Sequence, residues 1–436
     1  MTTTFQRLYQ TNRLDPSLPY LLKDIDGWAR KLPSDSPLRH HLHQFHVFCE
    51  KVHRSLMNDY DLERLSRSAE LSPGGWQSDE ERLMFESRVL TTLVKQWEML
   101  REAASQRVDG SPYQAGIALL DRRAAWLAAR LEQAVPKTSG AGALFPSPPL
   151  VCIGPVTKLQ IVGEAPAVIR LPYRALDLPL QSAQAKTIGM GSSVDAQGSW
   201  LAIAHELGHV VCERVPDLVE DVQHTARQAW ADAPPEIEAL RKAILPWTEE
   251  ILADVIGTSL EGLDFALAAV ELALSPETIA IRSDPLHPVG CLRPFVHFQM
   301  LGYLAEGQDR TKAELDTLRD AEQAFEHLVA PLLGRNFEMS AAVTPLTLET
   351  VRDELRTLTE KILGARPKAF GARSVGQVLR DCAASRDEAP ADTPRELPRW
   401  GETSVAGGKR SVLTLPSEET LDPITVVFLL ALAIGL

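Results

Sequence analysis

The stretch His205-Glu-Leu-Gly-His209 carries the residue types and spacing in this 436-residue sequence that could do chemistry. In a helix, residues i and i+4 project from one face, so both imidazoles reach a single metal ion. Glu206 lies about 100° round such a helix from His205, which sets its carboxylate beside an attacking water rather than on the metal. The chemistry implied is zinc-assisted hydrolysis, because Zn2+ lowers the pKa of water towards about 7 and polarises a carbonyl. The flanking Trp200, Leu201, Ile203, Ala204, Leu207, Val210 and Val211 are apolar. A buried face does not hold two histidines and a glutamate without a compensating partner, and a metal supplies one.

A catalytic zinc takes three protein ligands and keeps a further position open, so a third ligand is needed. An extended pattern with a third histidine fails, because its glycine and histidine positions hold Cys212 and Val215. Glu213 shares the face but rises roughly 12 Å beyond His205 on a straight helix, too far to share its ion. Pairing with Arg214 or solvation accounts for it instead. Further on, Trp247-Thr-Glu-Glu-Ile-Leu-Ala-Asp-Val-Ile-Gly257 puts Glu250 and Asp254 on one face of a second helix, with Ile251, Leu252, Val255 and Ile256 as its apolar remainder. Glu250 is placed to bind the metal. Asp254, one turn on, is placed to accept the other ring N–H of a ligand histidine, which fixes its tautomer and orientation. Glu249, about 100° away, is the alternative ligand.

HExxH followed by ExxxD on a later helix resembles the gluzincin arrangement of zinc metallopeptidases, and Glu250-Ile-Leu-Ala-Asp254 is similar to the M48-type peptidases in particular. The resemblance covers residues 150–304 only. It implies His205, His209 and Glu250 as zinc ligands, Glu206 as general base, and Asp254 as the acid behind a ligand histidine. Asp284-Pro-Leu-His-Pro-Val-Gly-Cys-Leu-Arg293 resembles the His-Pro segment with a later arginine that follows the third ligand in that family. By that likeness His287 stabilises the tetrahedral oxyanion and Arg293 orients the loop; read without it, Pro288 equally marks the first turn of a helix. The M48-type membrane helices have no counterpart, and helical runs of this chain's own, 219–229 and 235–244, separate His209 from Glu250. Such folds hold a substrate as an extra strand on the sheet edge before the active helix, here 167–173 or 186–190. The function expected is a zinc endopeptidase acting on an intracellular protein or peptide. The alternative is a non-catalytic zinc-binding adaptor working through the helical bundle and the apolar tail, although a structural zinc has no need of Glu206.

The elements that must position these residues follow from periodicity. Apolar residues at helical spacing fill 20–32, 38–56, 80–104 and 113–134, an N-terminal helical domain over 1–135. A linker rich in Gly, Pro and Ser follows at 136–149. Short Val-, Ile- and Leu-rich runs at 150–153, 157–162 and 167–173 predict strands. A helix over 201–213 and further helical pattern to about residue 366 follow the loop holding Gly189, Gly191, Ser192 and Ser193. The expected fold is α+β and predominantly helical: the bundle, then a zincin-like metallopeptidase domain over 150–382 with a small β-sheet and the HExxH helix. A flexible segment, 383–421, leads to an apolar tail, 422–436. His46, Cys49 and His53 share a helical face but lack a matching acid and are read as ordinary core or solvated side chains.

Composition limits the partners. A net charge of −13 spread along the chain argues against nucleic acid. The five cysteines are odd in number and never in a CxxC pair, which fits reduced thiols. The first thirty residues hold no uninterrupted apolar run, so no signal peptide is expected and the expected address is the cytoplasm. The apolar run Ile424–Leu436 has 13 residues, short of the roughly 20 that span a bilayer as a helix. Docking on the enzyme's own cleft or on a partner suits it better than membrane crossing.

Overall fold

A computed structural model describes residues 18–32, 36–57, 93–136, 143–145, 147–154, 158–160, 167–172, 193–230, 234–273, 286–306, 312–337 and 346–384. The chain divides into two compact units, 1–121 with 146–170 and 122–145 with 171–436. The described part is predominantly helical with short strands, an α+β chain.

In the first unit, helix α1 (18–31), α2 (Pro37–Met57), α3 (93–105) and the start of α4 (Gln114–Ala134) accompany three strands, β1 (Leu150–Gly154), β2 (Lys158–Gln160) and β3 (Val168–Pro172). Leu18, Ile25, Phe45 and Trp97 of the helices share a buried core with Leu150, Cys152 and Val168 of the strands. That shared core is why the strands group with the N-terminal helices, although the sequence pattern placed them with the segment after the linker. The sheet order is β1-β3-β2, with β2 antiparallel to β3 and Lys158 opposite Arg170.

This order corrects one expectation: within the expected edge 167–173, Val168–Pro172 is the middle strand, flanked on both sides, and not an edge on which a substrate strand could add. The outer edge of β1 is also filled. Leu150 donates its N–H to Ala167 at 2.9 Å, on the β3 side, so alternate residues face the other way. There Asp121 accepts from the Val151 N–H at 2.9 Å and Arg107 donates to the Val151 carbonyl at 2.6 Å. Gln106 mimics a strand, accepting from the Ile153 N–H at 2.8 Å and donating to its carbonyl at 2.7 Å. The other expected edge, 186–190, lies outside the described residues, as do 80–92 and the apolar tail.

The second unit contains α5 (Ser193–Arg214), α6 (Leu218–Ala229), α7 (Pro235–Ile244), α8 (Thr248–Glu261), α9 (Leu263–Ala273), α10 (Arg293–Ala305), α11 (Lys312–Leu333), α12 (Leu348–Gly364) and α13 (Val375–Ala384), with a two-stranded ribbon of β4 (Asn336–Phe337) and β5 (Leu346–Thr347). Pro235 opens α7, acids occupy its first turn and Arg241 and Lys242 its last, each favourable to the helix dipole.

Helix α8 is the centre of the unit: it packs along α5 and also meets α6, α9, α10, α12 and α13. Every residue of α8 except Glu249 is buried. Its acids are therefore held inside, where each needs a partner. Gly262, at φ 68°, ends the helix in a conformation that glycine adopts without a Cβ penalty. Glu261 pairs with Arg123 of α4, both nearly inaccessible. Arg130, two turns along α4, donates to the carbonyls of Leu260 and Cys382 at 2.7 Å each. Arg130 thus answers one of the carbonyls left over at the end of α8, and Arg123 neutralises the acid beside it. No helix among the described residues is long and apolar enough to cross a membrane.

Candidate metal centre

The two helices that carry the motifs approach closely at a glycine. A Cβ on Gly208 would stand 2.6 Å from the Ala253 Cα and 3.0 Å from its carbonyl oxygen. Only a residue without a side chain lets α5 and α8 come so near, and this nearness brings the side chains of one helix onto those of the other. Gly208→Ala is expected to destabilise the protein by about 1–3 kcal/mol through overpacking, since the obstacle is backbone. The gain in helix propensity, at most about 1 kcal/mol, acts against this and does not cancel it. Thermal unfolding with a chelator competition would read both effects; unchanged stability and unchanged metal retention would show that the close approach is not required.

Among the described residues, one group of His, Cys, Asp or Glu converges closely enough to hold a metal: His205, His209 and Glu250. The Nε2 atoms of His205 and His209 are 3.2 Å apart. Glu250 places Oε2 at 3.4 Å from the first and Oε1 at 3.3 Å from the second. Ligands bonded at about 2.0–2.1 Å in a tetrahedron lie about 3.3 Å from one another, so each separation is close to a tetrahedral edge, the carboxylate meeting the two imidazoles through different oxygens.

The outer ring nitrogens show which lone pairs face inward. His205 Nδ1 is 3.0 Å from Asp254 Oδ1, and His209 Nδ1 is 3.0 Å from Glu249 Oε1. A carboxylate only accepts, so each Nδ1 donates its hydrogen, and in the neutral rings both Nε2 lone pairs point at each other and at Glu250. Such a cluster requires a cation or added protons. The electrostatics agree. Burial alone pulls the His209 imidazole down, yet Glu249 and Glu250 outweigh it and lift the ring to about 10. His205 is likewise raised, burial being outweighed by Asp254 and Glu250. Burial would push Glu250 up, but the two imidazoles and Arg293 hold it well below the usual carboxylate range.

Asp254 is completely buried. Arg293, the first residue of α10, grips it with two hydrogen bonds, Nε at 2.8 Å and Nη2 at 2.5 Å. Burial would raise this carboxyl, but Arg293, His297 and His205 keep it far below its ordinary value. His297, one turn after Arg293, stays neutral because burial pushes it down to about 4. Its Nδ1 donates to Thr258 Oγ1 at 2.9 Å, since that hydroxyl donates its own hydrogen to the Asp254 carbonyl at 2.8 Å.

Glu206 is 9% exposed on the same stretch of α5 as His205 and His209. Burial raises its carboxyl, and the nearby His205 and His209 only partly offset this. His287 stands at the rim, its side chain 51% exposed and Nε2 3.4 Å from Glu250 Oε1. The structure thus brings His205, His209, Glu250, Asp254 and His287 together and sets Glu206 beside the two imidazoles. Glu249, the alternative ligand by sequence, instead bonds the outer nitrogen of His209. The grip of Arg293 on Asp254 and the neutral His297 behind it were not foreseen. The spacing Arg293-x-x-x-His297 on one helical face was the available signal. His46 pairs with Asp26 and Glu50, as an ordinary histidine does, and all five cysteines are buried and unbonded to one another.

No protein-family profile, curated protein or solved structure matches the chain.

Proposed function

We propose that the chain is a zinc-dependent endopeptidase with a zincin-like catalytic domain, and that the helical N-terminal domain selects partners or restrains access. The observation that carries this reading is the convergence of His205 Nε2, His209 Nε2 and the Glu250 carboxylate, whose two oxygens each meet one imidazole, at separations of 3.2 to 3.4 Å, with the buried Glu206 beside them. His205, His209 and Glu250 would hold the ion; bound there, zinc supplies Lewis acidity that polarises the scissile carbonyl and makes water acidic enough to deprotonate near neutral pH.

The other steps belong to the chain. Glu206 accepts the proton of the attacking water and passes it to the leaving amine nitrogen. A carboxyl raised by burial suits both transfers, because it takes the proton at neutral pH and can release it again. His287, half-exposed at the rim, is within reach of a substrate carbonyl and donates a hydrogen bond as that oxygen gains charge. Asp254 and Glu249 hold the ligand rings with both Nε2 atoms turned inward, and Arg293 keeps Asp254 ionised in its buried position. Buried thiols outside any disulfide support a reducing compartment such as the cytoplasm.

The test is elemental analysis of wild type beside His205→Ala and Glu250→Ala, purified without chelators. About one zinc per chain is expected in the wild type, and almost none in either variant. Wild type without zinc, or zinc indifferent to His205, would sink the peptidase reading and favour a metal-free binding protein.

A further inference from the structure

His297 is 1% exposed on α10, one turn after Arg293, and packing does not explain its polarity. A buried imidazole costs desolvation unless its nitrogens are used, and an apolar side chain of similar volume would fill the same space. One nitrogen is used in a particular way. Nδ1 donates to Thr258 Oγ1 at 2.9 Å, and that hydroxyl donates its own hydrogen to the Asp254 carbonyl at 2.8 Å. Arg293 meanwhile holds the side chain of the same aspartate. Helix α10 therefore grips Asp254 at two points, the carboxylate directly and the backbone through Thr258. The ring is itself held in place. Phe265 of α9 meets it edge-on with centroids 5.1 Å apart, and Phe265 sits over Gly257 of α8, where a Cβ would stand 2.5 Å from its Cζ. The other nitrogen, Nε2, stops 3.9 Å from Asp254 Oδ2, beyond hydrogen-bond reach. The neutral ring thus leaves the hydrogen bonds of that carboxylate to His205 and Arg293.

We propose that His297 and Thr258 are positioning residues for the metal centre, fixing the turn of α8 that carries Asp254 so that its Oδ1 stays 3.0 Å from His205 Nδ1 and the imidazole keeps Nε2 turned to the ion. This rests on the zinc site of His205, His209 and Glu250 proposed above. A carboxylate gripped only at its tip can pivot about its backbone; with the backbone pinned as well, both ends are set, within the roughly 0.5 Å that a functional constellation tolerates. His297 touches neither metal nor substrate and acts through Thr258, Asp254 and His205 in turn.

Zinc affinity, read by competition with a chromogenic chelator, and urea unfolding of the chelator-treated full chain separate this role from packing. His297→Leu keeps the volume and removes the donor, so zinc affinity should fall about 10-fold while the metal-free protein unfolds near the wild-type urea midpoint. His297→Asn carries an amide donor at the Nδ1 position in a smaller side chain. It should unfold at lower urea because of the cavity it leaves, yet bind zinc about as tightly as wild type. Thr258→Val breaks the same relay from its other side and should lose zinc affinity by the same factor, which decides the question if His297→Leu does not fold. Wild-type affinity in His297→Leu and Thr258→Val, or an affinity that merely follows the unfolding midpoint across the three variants, would overturn the inference while leaving the peptidase reading intact. Zinc binding absent from the wild type would remove that reading and this inference with it.

Discussion

Glu206→Gln is expected to lower peptide hydrolysis by about 10²–10⁴-fold while zinc content stays at the wild-type level. The amide keeps the volume of the 9% exposed carboxyl, so the local packing is preserved, and the side chain is not one of the three converging groups. What it loses is the ability to accept a proton from water. The wild-type rate should rise with pH through the Glu206 ionisation, since the base must be deprotonated, and burial moves that rise above the usual carboxylate range. In the variant this acid limb should vanish. A peptide library read by mass spectrometry, with zinc measured on the same samples, provides the comparison. Equal rates in the two proteins would remove Glu206 as the base, and a variant that lost its zinc would make it a ligand.

The convergent half of the candidate centre was legible because it depends on local periodicity. His205, Glu206 and His209 lie within one stretch of α5, and Glu250 and Asp254 one turn apart on α8. Helix ends were legible for the same reason: the runs 219–229 and 235–244 correspond to α6 and α7 within a residue. The environment of these side chains was not, because it depends on which faces meet in space. The pairing of Glu249 with His209 follows from the crossing of α5 and α8 at Gly208, a contact between residues 45 positions apart. Strand order follows the same logic. A short Val-, Ile- and Leu-rich run marked 167–173 as a strand but held no information on its neighbours, so the middle position of Val168–Pro172 became visible only when β1 and β2 flanked it. The grouping of 146–170 with the N-terminal helices likewise reflects a core assembled from distant segments.

Arg293→Met is the substitution expected to cost most stability, about 3–5 kcal/mol at neutral pH, because it leaves Asp254 as a buried charge without its main partner. The aspartate is 0% exposed and the arginine side chain 25% exposed, so the carboxylate cannot turn to solvent when the guanidinium is gone, whereas the reverse deletion would leave a cation with some access to water. The loss should depend on pH with a definite sign. In the wild type the folded Asp254 pKa is depressed, so its contribution is complete above the unfolded value near about 3.9 and is lost as pH falls further. Without Arg293, burial dominates and the folded pKa moves above the unfolded one. The penalty is then smallest where the acid is protonated and grows as pH rises through the new value. Urea unfolding of chelator-treated wild type and variant should therefore show a difference that is largest near pH 7 and shrinks towards pH 4.5. Zinc affinity should also fall by about 10–100-fold, since Asp254 would no longer be held against His205. A difference below about 1 kcal/mol that ignores pH would show that Asp254 is solvated or protonated without Arg293's help, and that another group orients His205.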